Sequence, residues 1–64
     1  MRMNPVPVFL NEIKALRDLG HPIKDAVSIF TCFNRALSLR VMEEIGCWPS
    51  SETELAELQR QWRG

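Results

Sequence analysis

An all-α fold is predicted for this chain on three observations. Apolar residues recur at steps of three and four along most of its length. The prolines at 5, 7, 22 and 49 and the glycines at 20, 46 and 64 fall near the ends of those runs. The last run opens with Ser51 followed three residues later by Glu54, the pattern of a capping box. The predicted architecture is an antiparallel helical hairpin with a long second helix and a short C-terminal helix. It forms one domain over residues 1–64, with helices about 7–19, 23–45 and 51–62.

The first helix is expected to begin near Pro7, because a proline in a first turn loses no hydrogen bond. Phe9, Ile13 and Leu16 share a face, and Leu10 widens the stripe. Gly20 stops the helix, since glycine takes left-handed angles cheaply. Pro22 then pushes His21 away from helical angles and can open the next helix.

The second helix is expected to run unbroken from Pro22 or Ile23 to Ile45, roughly 35 Å at 1.5 Å per residue. Ile23, Ala26, Phe30, Phe33, Leu37, Val41 and Ile45 make a seam of the coiled-coil kind. Ile29, Cys32, Ala36 and Leu39 form a second apolar line about a third of a turn away. Lys24, Ser28, Thr31, Arg35 and Ser38 are left for solvent. Together the two lines exceed the ~100° arc that packs on one neighbour, so this helix needs two. Its own first helix is one. The other is expected to be a twin, in a symmetric homodimer whose core and seam centre on Phe30, Phe33, Leu37 and Val41.

The third helix is short. Glu52, Glu54 and Glu57 lie early in it and Arg60 and Arg63 late, matching the helix dipole. Leu55, Leu58 and Trp62 form its apolar line.

Size sharpens the need for a partner. Below roughly 70–80 residues a single core supplies only about 3–5 kcal/mol, so small chains usually add a staple. Cys32 and Cys47 could form one bridge at most. No charged and apolar leader of the secretory type precedes them, and no window approaches the ~18 apolar residues of a membrane span. A cytoplasmic setting with free thiols is expected, Cys32 as a small buried hydrophobe and Cys47 as an incidental one. Oligomerisation is the staple that remains.

Chemistry is expected to be absent. His21, the one histidine, stands between Gly20 and Pro22 with no nucleophile or carboxylate beside it. Neither cysteine has metal-ligand spacing, and there is no phosphate loop or catalytic set. The chain is therefore expected not to be an enzyme and to need no cofactor or metal. Eight basic residues balance eight acidic ones, which argues against nucleic acid as a partner, since phosphate neutralisation drives that binding. The alternative is a small helix-turn-helix DNA-binding regulator, obtained if residues 24–45 split near "TCFN" and Arg35 and Arg40 face DNA.

Trp48, Arg60, Trp62 and Arg63 are the candidate partner-binding residues. A tryptophan flanked by arginines in a terminal helix has the composition of an interface hot spot. In size and make-up the whole chain resembles the very small helical regulators encoded by bacteriophages and other mobile elements, the quorum-sensing anti-activators among them. That resemblance implies a dimeric helical protein that binds a host transcription factor and blocks its DNA binding stoichiometrically, without catalysis or cofactor.

Overall fold

The computed structural model describes residues 4–62, which contain four helices and no strand. They are α1 (Pro5–Asp18), α2 (Ile23–Phe33), α3 (Arg35–Ile45) and α4 (Glu52–Gln61). Helix α1 is the centre of the fold, in contact with each of the other three.

Helix α1 starts two residues earlier than Pro7, for a local reason. Asn4 takes extended angles and its Oδ1 accepts the Val6 amide at 3.0 Å, which caps the helix. Both Pro5 and Pro7 then fall in the first turn, where an amide has no intrahelical acceptor. Val6, Phe9 and Ile13 are fully buried and Leu10 nearly so. The C-terminus closes as a Schellman motif. The His21 amide donates to the Leu16 carbonyl at 3.2 Å and the Gly20 amide to Arg17 at 2.9 Å, with Gly20 at φ 107°.

The expected continuous helix over 23–45 is two helices, and this corrects the sequence expectation. It breaks at Asn34, whose φ of −132° and ψ of 62° are not helical. The Asn34 amide still closes α2 on the Phe30 carbonyl at 2.8 Å. Its own carbonyl begins α3, accepting both the Ser38 amide at 2.8 Å and the Ser38 hydroxyl at 2.7 Å. Asparagine and serine compete with the helix ladder in this way. The larger cause is geometric. A straight helix of about 35 Å would overhang α1, whose 14 residues are only about 21 Å long. Bending at Asn34 brings Val41 to full burial and sets Leu37 and Ile45 against the core. Burying one such side chain is worth about 1.5–3 kcal/mol, against about 0.5–1.5 kcal/mol for one backbone hydrogen bond released to water.

The observed faces of α2 and α3 differ from those read from the sequence. Ile23, Ala26, Phe30 and Val41 are buried as the seam requires, but Phe33 is 80% exposed. Ser38, expected in solvent, is buried, and its hydroxyl is satisfied by Asn34. Cys32, expected to be buried, is exposed beside Phe33 at the break.

Helix α4 starts as expected. The Ser51 hydroxyl accepts the Glu54 amide at 3.2 Å. The return bond goes one residue further back than in a capping box: Glu54 Oε1 accepts the Ser50 amide at 2.7 Å and the Ser50 hydroxyl at 3.0 Å. These two donors hold the Glu54 carboxyl below its ordinary value near 4.5. A depressed acid stabilises the fold above its unfolded pKa and loses that contribution as pH falls through the folded one. The melting temperature should therefore decline below about pH 4.5 more steeply in wild type than in Glu54→Gln. Parallel profiles for the two proteins would contradict the cap. Leu55 is fully buried, and Arg17 reaches from the last turn of α1 to Glu52 at 2.8 Å.

Candidate functional site

One side of α3 is left without a neighbour among the described residues. Leu39 is 69% exposed, Arg35, Ala36, Arg40 and Glu43 are exposed around it, and Met42 is half-buried. Thr31, Arg35, Ser38, Leu39, Met42 and Trp48 line a groove of about 370 Å³ along this side. Phe33, 80% exposed, stands one residue before the break. Two large apolar side chains and a groove thus lie on the same stretch of chain, where the sequence expects a second neighbour.

The charges of α3 run against its dipole. Arg35 occupies the first turn and Glu43 and Glu44 the last, with no acidic residue early and no basic residue late. Each such placement costs about 0.3–1 kcal/mol relative to the opposite sign. Among the described residues none of Arg35, Arg40, Glu43 or Glu44 forms an ion pair; the pairs present belong to Arg17.

Trp48 links this groove to a second one. It follows the Gly46 stop of α3, where φ is 80°, and is half-buried with its ring 5.3 Å from that of Phe9. Its other side lines a groove of about 210 Å³ with Ile45, Cys47, Pro49 and Leu58. Trp48 therefore both closes the core and edges two surface grooves.

The candidate residues read from the sequence do not form one patch. Phe30 and Val41 are consumed inside the chain, Leu37 is half-buried, and only Phe33 of that seam is free. Trp62 is half-buried and packs against the core, so it is partly docked rather than presented whole. Arg60 is exposed on α4. Arg63 lies outside the described residues. The sequence reading passed over Leu39 and Met42 as surface anchors, although Leu39 ends the second apolar line of α2–α3. The break at Asn34 is what leaves that line uncovered.

No group of three histidine, cysteine or acidic side chains is placed to hold a metal among the described residues, and no described helix is long and apolar enough to cross a membrane. No protein-family model, curated protein or solved structure matches this chain.

Proposed function

We propose that this protein is a small protein-interaction regulator, acting stoichiometrically by covering a surface of another protein, such as a host transcription factor, and blocking its activity. The supporting observation is the uncovered apolar side of α2–α3. Leu39 is 69% exposed beside a groove and Phe33, 80% exposed, stands at the end of α2; large exposed apolar side chains of this kind commonly mark contact with protein. A homodimer is part of the proposal, as is a second contact through Arg60, Trp62 and Arg63 at the C-terminus and Trp48 before α4. The two exposed thiols fit a reducing compartment such as the cytoplasm.

The test is capture from a lysate of the source cells, using tagged wild type and three variants. Leu39→Lys should lose the captured protein with an unchanged melt if the α3 side binds it. Arg60→Ala should weaken capture at unchanged stability, because Arg60 is exposed and hot-spot truncations commonly cost about 2 kcal/mol or more. Trp62→Ala should lower both affinity and melting temperature, since its ring packs partly on the core. Normal capture by all three variants would exclude both surfaces.

The break at Asn34 favours one further reading, the helix-turn-helix, because it supplies the split that reading needs. A single non-helical residue leaves no turn of the usual three to four residues, however. The outward side of α3 carries Leu39 and Glu43 rather than a row of polar groups suited to base edges. A gel shift against random DNA at low salt should show no complex; a salt-sensitive complex lost in Arg35→Ala and Arg40→Ala would favour DNA.

A further inference from the structure

We propose that the open side of α3 is covered by a second copy of this chain, with the two α3 helices antiparallel and the two-fold axis close to Leu39. This rests on the reading of that side as a protein-binding surface and names its occupant, its register and the groups that set the register.

The charge pattern selects the occupant. Arg35 and Glu43 stand four residues to either side of Leu39, roughly 6 Å along the axis in each direction. Both lie within about 60° of it around the helix, on the side facing solvent, as does Met42. Within one chain they are about 12 Å apart along the axis, too far to pair. An antiparallel copy crossing at Leu39 brings each Arg35 level with Glu43 of the other chain. The two-fold makes this happen twice, while Leu39 meets Leu39 and Ala36 meets Met42. A parallel copy would set Arg35 beside Arg35 and Glu43 beside Glu43. The α3 charges are misplaced for their own helix dipole and unpaired among the described residues. An antiparallel second helix supplies the opposite dipole as well as the opposite charge at each end. The groove lined by Arg35, Ser38, Leu39, Met42 and Trp48 then receives the Leu39 side chain of the other copy, a knob into a hole. Such an interface is isologous and closes at two copies. With α3 only about 16 Å long, the contact is small and the dimer is expected to be weak.

Sedimentation equilibrium of the full chain under reducing conditions, over micromolar to millimolar concentration, tests this, with thermal melts of each protein alongside. Wild type should self-associate to dimer. Leu39→Lys should weaken association at least tenfold while the dilute chain melts normally, Leu39 being exposed in the single chain. Arg35→Glu and Glu43→Arg should each weaken it several-fold, and the double variant should recover most of the loss. In a Cys32→Ser, Cys47→Ser background, Leu39→Cys should oxidise to a covalent dimer with unchanged helical content. A monomeric wild type, or a dimer indifferent to Leu39→Lys, overturns the proposal. A double charge variant weaker than either single one overturns the register. A monomer whose capture of another protein depends on Leu39 would sink the second copy and leave the interaction reading standing; a monomer whose capture ignores Leu39 would sink both.

Discussion

Phe30→Ala is expected to leave the isolated chain without a cooperative thermal transition. Phe30 is 3% exposed and its ring meets Phe9 edge to face, 5.0 Å between centroids at 78°. Truncating a buried phenylalanine costs about 3–5 kcal/mol, and an aromatic pair of this geometry carries about 0.5–1.5 kcal/mol beyond its area. A core of this size supplies only about 3–5 kcal/mol in all. Loss and reserve are therefore of one size, and the unfolded state should dominate at 25 °C. Phe33→Ala is the matched control. Phe33 is three residues further on and 80% exposed, so the change should lie within about 0.5 kcal/mol of neutral for the single chain. The contrast also tests which ring of α2 faces the core, Phe30 or Phe33. Far-ultraviolet circular dichroism melts of the two variants at low concentration decide it. Equal destabilisation would mean that Phe33 is buried as Phe30 is.

Leu55→Ala is expected to cost about 2–5 kcal/mol and to release α4 first. Leu55 is the one fully buried side chain of α4, with Leu58 and Trp62 packed more shallowly beside it. A ten-residue helix is too short to persist alone in water, so undocking and melting of α4 are one event. The Ser51 cap and the Arg17–Glu52 ion pair are exposed and cannot hold the helix in place by themselves. Amide hydrogen exchange should show protection lost across Glu52–Gln61 before it is lost in α1. Protection that falls equally everywhere would make α4 part of the same cooperative unit as the core; protection unchanged over Glu52–Gln61 would contradict the anchoring role of Leu55.

Most local signals in the sequence were sufficient where the physics is local, the Asn4 cap of α1 being the exception. The Gly20 and Gly46 stops need only a left-handed angle, and the Ser51 cap needs only a hydroxyl three residues before an amide. The apolar stripes of α1 and α4 are read correctly because neither helix is interrupted between its caps. The same periodicity failed over residues 23–45. It reported correctly that more apolar surface is present than one neighbour covers, but it assigned sides as though the helix ran on.

Asn34 marks where that assumption ends. A change of ψ at one residue re-aims every side chain after it, which sends Ser38 inward and leaves Leu39 open beside a groove. Nothing within a few residues of Asn34 demands the change, since asparagine costs a helix only up to about 0.7 kcal/mol relative to alanine. The demand comes from α1, some twenty residues away in sequence, which is too short to support a helix of about 35 Å along its whole length. By itself the sequence determined that this protein is helical, where Gly20, Gly46 and Ser51 bound its helices, and that its apolar surface exceeds what one helix pair can cover. Only the tertiary structure decided which part of that surface remains open, because the bend that exposes it is set by packing between distant segments and not by the residues that bend.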